Sequence, residues 1–86
     1  MTTRLQIKTA ILIVLHRMDG TPLGELQLAA AVAHYFHGQE ITTGDFGSAV
    51  AELQADAYLV GVTDEFTRRP HWSLLPKGQA KAATLR

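Results

Sequence analysis

Apolar residues recur every three to four positions along three segments of the chain and alternate along two shorter segments. Residues 3–18 follow the i, i+3, i+4, i+7 rule of one helix face. The residues on that face are Ile7, Ala10, Ile11, Val14, Leu15 and Met18. Leu5, Leu12 and the neighbouring Ile13 give the same helix a second apolar side, which a small chain cannot easily bury. The pattern therefore predicts a first helix with a core face and a dimer surface at Leu5, Leu12 and Ile13.

A second helix is predicted over residues 23–37, between Pro22 and the capping residue Gly38. Its many alanines permit close packing of helices. The positions that suit a core face are Leu26, Ala29, Ala30, Ala33 and Phe36. A third helix is predicted over residues 43–57, with Thr42 as N-cap. Its single core stripe consists of Phe46, Val50, Leu53 and Ala57.

The last third of the chain has the period-two pattern of a β-hairpin over residues 59–75. Asp64 and Glu65 suit the turn, and Pro76 suits the first position of a helix over residues 76–84. The residues predicted to face inward from the two strands are Val60, Val62, Trp72 and Leu74. Trp72 is interpreted as a core aromatic residue because it shares the phase of Leu74. The predicted fold class is α+β: a single domain of residues 1–86, with a three-helix core, a two-stranded hairpin and a short C-terminal helix.

Composition narrows the class of protein. The chain has 86 residues, of which 47% are hydrophobic, so it can form one modest core. It contains no cysteine, which excludes disulfides and thiolate chemistry. Its longest apolar run, Ala10 to Leu15, is far shorter than the roughly 20 residues of a membrane span. We therefore expect a soluble, cytoplasmic protein without membrane contact.

Neither catalysis nor metal binding is indicated by a motif. The chain has no phosphate-binding loop and no nucleophile elbow, so we expect no enzymatic activity and no cofactor. His34 and His37 are three residues apart and could share one helix face, with Glu40 or His71 as a third ligand. No zinc motif accompanies them. The simpler interpretation is that they are polar residues on the exposed side of a helix, and we expect no metal site.

The charges are sorted along the chain, although the formal net charge is zero. All eight acidic residues lie between positions 19 and 65, a segment without lysine or arginine. The basic residues lie in the two end segments, which contain no acid: Arg4, Lys8, Arg17, Arg68, Arg69, Lys77, Lys81 and Arg86. Such sorting predicts that the folded domain has opposite charges at different parts of its surface.

The order of elements resembles the winged helix-turn-helix domains of small bacterial transcription regulators of the phenolic-acid-responsive (PadR-like) and multiple-antibiotic-resistance types. Two segments carry the resemblance: AELQADAYLVGV, residues 51–62, where the third helix leads into a strand, and HWSLLPKGQAKA, residues 71–82, where the second strand leads into a helix. Pro76 stands where these families usually have threonine. The resemblance implies a homodimeric regulator that binds double-stranded DNA with its third helix and its hairpin, the wing.

The charges qualify the DNA contacts that the resemblance implies. Asp45, Glu52 and Asp56 of the third helix would repel phosphates, so the predicted contacts come mainly from the wing and the basic ends. The candidate DNA-binding residues are Arg68, Arg69, Thr43, Ser48, Lys77 and Lys81. The alternative is a winged helix that binds a basic protein partner through the acidic surface of its second and third helices. Both functions stay open on the sequence alone.

Overall fold

Four helices and one antiparallel sheet make up the α+β fold. A computed structural model describes residues 4–18, 22–36, 41–66 and 68–85. The helices are α1 (Arg4–Arg17), α2 (Glu25–Tyr35), α3 (Thr43–Ala55) and α4 (Pro76–Thr84), and the strands are β1 (Leu23–Gly24), β2 (Leu59–Thr63) and β3 (Pro70–Leu74). The strands lie in the order β1-β3-β2. Within the described segments, no helix has the length and apolarity needed to cross a membrane.

Helix α1 lies at the centre of the core, packed against the other three helices and against β3. Of its six predicted core residues, Ile7, Ala10, Ile11, Val14 and Leu15 are buried, whereas Met18, just past the end of the helix, is 37% exposed. Leu12 is buried as well, at 4% exposure, because the other helices cover more of α1 than one face. The predicted second exposed side is thereby reduced to Leu5, which is 71% exposed, and the half-buried Ile13.

The predicted core face of α2 is wrong for Leu26 and Ala30, whereas Ala29 and Phe36 do pack against the core. Leu28 and Val32 are fully buried, whereas Leu26 is 68% exposed and Ala30 is exposed. The cause is β1: Leu23 and Gly24 pair with β3 instead of extending the helix, so α2 begins at Glu25 with its orientation fixed by the sheet. Burying a leucine and a valine also removes more apolar surface from water than burying a row of alanines.

The predicted inward face of the sheet is correct for β3 and wrong for β2. Opposed residues of an antiparallel pair share a face, and the register places Gly61 opposite Trp72 and Leu59 opposite Leu74. Val60 and Val62 therefore point to the outer face, and Val62 is exposed. A Cβ atom on Gly61 would lie 2.6 Å from the Trp72 ring, so the indole occupies the space of that missing side chain. Burial of Trp72 confirms that it is a core aromatic residue.

Both ends of α3 have defined caps. The Thr42 hydroxyl accepts a hydrogen bond from the backbone N–H of Asp45 at 3.0 Å, which confirms the predicted N-cap. At the other end, the backbone N–H groups of Ala57 and Tyr58 bond to the carbonyls of Gln54 and Leu53. This pair of bonds is a Schellman motif, with Ala57 in the left-handed region at φ 62°. The chain therefore turns sharply from α3 toward β2, which is an edge strand of the sheet because the strand order is β1-β3-β2.

Candidate functional site

The structure separates the residues predicted to contact DNA. Thr43 and Ser48 are exposed in the first half of α3, but Lys77 lies at the other end of that helix. The Lys77 ammonium donates a hydrogen bond to the carbonyl of Asp56 at 2.8 Å and lies 4.6 Å from the centroid of the Tyr58 ring. The axial distance from Thr43 to Asp56 is roughly 20 Å, given a rise of about 1.5 Å per residue. Lys77 and Thr43 would therefore contact different phosphates of a duplex and do not form one compact site.

Two basic residues of α1, Arg4 and Lys8, also lie against the C-terminal half of α3. The guanidinium of Arg4 lies 3.1 Å from one carboxylate oxygen of Glu52, and the ammonium of Lys8 lies 3.8 Å from the other. Such partly exposed pairs add little to stability. Their effect is local neutralisation, which leaves less positive charge for a phosphate backbone on this side of the molecule.

An apolar groove separates α2 from the start of α3. Its volume is about 310 Å³, and its lining residues are Glu25, Leu26, Ala29, Ala33, Ile41, Thr42, Thr43 and Phe46. Leu26 contributes the most exposed large hydrophobic side chain of this lining, at 68%. Exposed apolar surface bordered by polar residues is typical of interaction sites. We call this surface the acidic groove, because of the charges described next.

Carboxylates mark the two helix ends beside this groove. Glu25 lies in the first turn of α2 and Asp45 in the first turn of α3. The N-terminus of a helix attracts anions and can hold a phosphate. At both helices a carboxylate of the chain already lies in that favourable field, and α2 and α3 contain no lysine or arginine. The acidic groove therefore attracts cations and repels phosphates.

The connection between β2 and β3 presents an aromatic side chain beside two arginines. The N–H of Asp64 donates to the carbonyl of Arg69 at 3.1 Å, and the N–H of Arg68 donates to the carbonyl of Asp64 at 2.9 Å. Arg68 adopts a left-handed φ of 58°. Phe66 is 93% exposed, and both arginines are exposed as well. We call residues 64–66, 68 and 69 the hairpin tip.

A second apolar groove lies at the opposite end of α3, between α1 and α4. Its volume is about 340 Å³, and its lining residues are Leu5, Lys8, Thr9, Leu12, Leu53, Asp56, Tyr58, Lys81 and Leu85. We call it the basic groove, after Lys8 and Lys81. It contains two of the three residues of the predicted dimer surface, Leu5 and Leu12. The third, Ile13, lines a neighbouring hollow of about 440 Å³ with His16, Arg17, Tyr35, Ala82 and Leu85.

Sequence reasoning missed the roles of Leu26 and Phe66. Leu26 was assigned to the core, since it fits a helical stripe with three alanines. Phe66 lies between acidic residues and arginines in a predicted turn, and a lone aromatic residue in a turn is the signal that could have drawn attention to it. Both residues combine an apolar side chain with high exposure, which only the folded chain reveals.

No group of three metal-ligating side chains comes together in the described part of the chain. His37 and Glu40, two of the histidine-site candidates, lie outside the described residues. Comparison with protein-family models, with curated proteins and with solved structures finds no match to this chain. Its function must therefore be inferred from the chemistry of its own surfaces.

Proposed function

We propose that this chain is a winged-helix domain that binds a basic protein partner at the acidic groove. The order of its elements supports the winged-helix part: three helices precede a β-hairpin that starts directly after the third, and a helix follows the hairpin. The short strand β1 joins the hairpin to the start of α2. Fold alone does not determine function, so the binding part rests on the groove itself.

One observation carries the binding proposal: Leu26 is 68% exposed in an apolar groove beside carboxylates. Burying this side chain against a partner would remove apolar area from water, which is worth about 1.5–3 kcal/mol for a leucine. Glu25 and Asp45 select a partner that offers lysine or arginine around its own apolar residue. The groove thus supplies both an apolar anchor and a charge preference.

Helix α3 is poorly suited to read DNA. Its exposed side offers Thr43, Gly47 and Ser48 but no basic side chain, and Asp45 would face an approaching phosphate backbone with the wrong charge. Readout of base edges in the major groove depends chiefly on arginine, lysine, asparagine and glutamine, and the one such side chain exposed on α3 is Gln54, near its C-terminal end. The same surface suits a protein partner, since small side chains permit close approach of another chain.

The binding proposal predicts charge-selective capture of a peptide. A fluorescent helical peptide with leucines on one face and lysines on the other should bind, and a glutamate version should not. Leu26→Ser should weaken binding about tenfold, since it removes the apolar contact. Fluorescence anisotropy at about 50 and about 200 mM salt measures both effects, and binding should weaken with salt.

Leu5→Ser is the matched control for this experiment. Leu5 is as exposed as Leu26 but lies in the other groove, so the Leu5→Ser protein should bind the lysine peptide at least as tightly as the wild-type protein. Equal affinity for the glutamate peptide, or full binding by the Leu26→Ser protein, would contradict the proposal.

DNA binding led by the hairpin tip is the second candidate, favoured by Arg68 and Arg69 beside the exposed Phe66. Proteins that enter a minor groove combine arginines with an apolar wedge. If this candidate holds, the protein binds duplex DNA at micromolar concentration. In the double variant Arg68→Ala/Arg69→Ala, the slope of the logarithm of the binding constant against the logarithm of the salt concentration should become shallower by about one unit per lost phosphate contact. Titration of fluorescent duplex measures this. Our first proposal expects no such binding, and an unaltered double variant would exclude the tip as the contact.

A further inference from the structure

We infer that the basic partner is a second copy of this chain, whose basic groove receives the surface around Leu26. This inference rests on the proposed function, because it names the occupant of the acidic groove. The two grooves face different neighbours: the acidic groove lies at the start of α3, and the basic groove lies at its end. Each copy can therefore offer one surface to the copy ahead and the other to the copy behind.

Both grooves have apolar walls that can contribute to one contact. Each contains one leucine that is largely exposed, Leu26 in the first and Leu5 in the second. The buried Leu12 and Leu53 contribute further apolar walls to the basic groove. Docking of Leu26 beside Leu5 of the next copy would bury both exposed leucines at once.

The charges around the two grooves are opposite. At the acidic groove, Glu25 and Asp45 lie on helices without any lysine or arginine. At the basic groove, Lys8 and Lys81 line the apolar walls. Lys77 lies nearby, where its ammonium donates a hydrogen bond to the carbonyl of Asp56. Arg4, Lys8, Lys77 and Lys81 outnumber the carboxylates of Glu52 and Asp56 here, so this side keeps an excess of positive charge. Opposite potentials steer two copies into contact and fix their orientation.

The contact joins two different surfaces, which lie about 20 Å apart along α3. One chain cannot place its own Leu26 in its own basic groove. A contact of this kind is heterologous, so it continues from copy to copy and forms an open chain or a closed ring. Assembly should therefore grow with protein concentration and decline with salt, because exposed charges are screened.

Sedimentation equilibrium of two variants tests the inference. At about 50 mM salt the mean mass of the wild-type protein should rise with concentration, and at about 500 mM it should fall toward the monomer. Leu26→Ser and Leu5→Ser should each weaken association about tenfold, since each removes the apolar contact at one end. Both positions are exposed, so both variants should unfold at nearly the wild-type temperature.

Mixing the two variants gives the decisive result. The Leu5→Ser protein keeps an intact acidic groove, and the Leu26→Ser protein keeps an intact basic groove. An equal mixture should form pairs with the wild-type affinity for one contact and should not grow further. A mixture as monomeric as its separate components would overturn the inference, and so would a wild-type protein that stays monomeric at about 1 mM, well above weak interface affinities. If the lysine peptide still binds in that case, the proposed function stands without self-assembly.

Discussion

Gly78→Ala should lower the free energy of unfolding by about 3 kcal/mol, although alanine is the better helix former. Gly78 is buried in α4, where a Cβ atom would overlap the carbonyl oxygen of Tyr58. That oxygen is fixed, because it accepts the hydrogen bond from the N–H of Leu75 at 3.0 Å. The contact is with backbone, which cannot rotate away as a side chain could. Helix α4 must therefore move from the core or lose its junction with β2.

Chemical denaturation and thermal melting measure this effect, and a loss of this size lowers the melting temperature of a small domain by about 10–20 °C. Gly47→Ala is the matched control, because Gly47 lies within α3 and a Cβ atom there meets nothing within 4 Å. That change should stabilise the protein by about 0.5–1 kcal/mol. Equal effects at the two glycines would show that α4 does not approach Tyr58 as described.

Leu28→Ala should cost about 2–5 kcal/mol, whereas Leu26→Ala should change stability by no more than about 0.5 kcal/mol. Both residues lie on α2, only two positions apart, and they are chemically identical. Leu28 is fully buried in the core, while Leu26 is 68% exposed. Removing buried methyl groups leaves a cavity in addition to the lost transfer free energy. Removing exposed methyl groups creates no cavity and loses little transfer free energy.

Urea denaturation of the two variants gives the comparison directly, since both remove the same atoms. The slope of unfolding free energy against urea should stay constant if each variant keeps the native compactness. If Leu26→Ala lowered the free energy of unfolding more than Leu28→Ala, the core face of α2 would be the one that the sequence pattern predicts. Leu26 would then be buried, and the acidic groove could not bind a partner through it.

The sequence pattern predicts most of α1, α3 and α4 because each combines a clear period with a defined end. It is wrong at Ala57, which is exposed and lies beyond the end of α3, and at Met18, which is exposed after α1. Thr42 caps α3, and Pro76 opens α4. Helix α2 is harder because two apolar stripes coexist on it, one through Leu26 and one through Leu28. The choice between them depends on β1, whose two residues are too few to produce a period of their own.

The error at β2 has a similar physical cause. A pattern of apolar residues marks Val60 and Val62, but the position between them is Gly61, which has no side chain to count. Its place on the inner face depends on the Trp72 ring, which belongs to another strand. Which residues of β2 face the core depends on contacts between residues that are distant in the sequence. The local spacing of apolar residues does not reveal these contacts.

The candidate surfaces were only partly foreseeable. Charge sorting along the chain predicts that opposite charges lie at different places, but it cannot say which groups meet. Pairing of Arg4 with Glu52, and of Lys77 with the carbonyl of Asp56, places basic residues at the far end of α3. The apolar anchors Leu26 and Phe66 depend on exposure, which is a property of the tertiary structure.

The fluorescence of Trp72 can report on folding independently of binding at the two grooves. It is the single tryptophan of the chain, and its ring lies in the core over Gly61. It lines neither the acidic nor the basic groove. Its fluorescence therefore reports the integrity of the sheet and core and should stay constant while a peptide or a second copy docks. In every binding titration, the Trp72 fluorescence of the unlabelled protein therefore shows whether the protein stays folded.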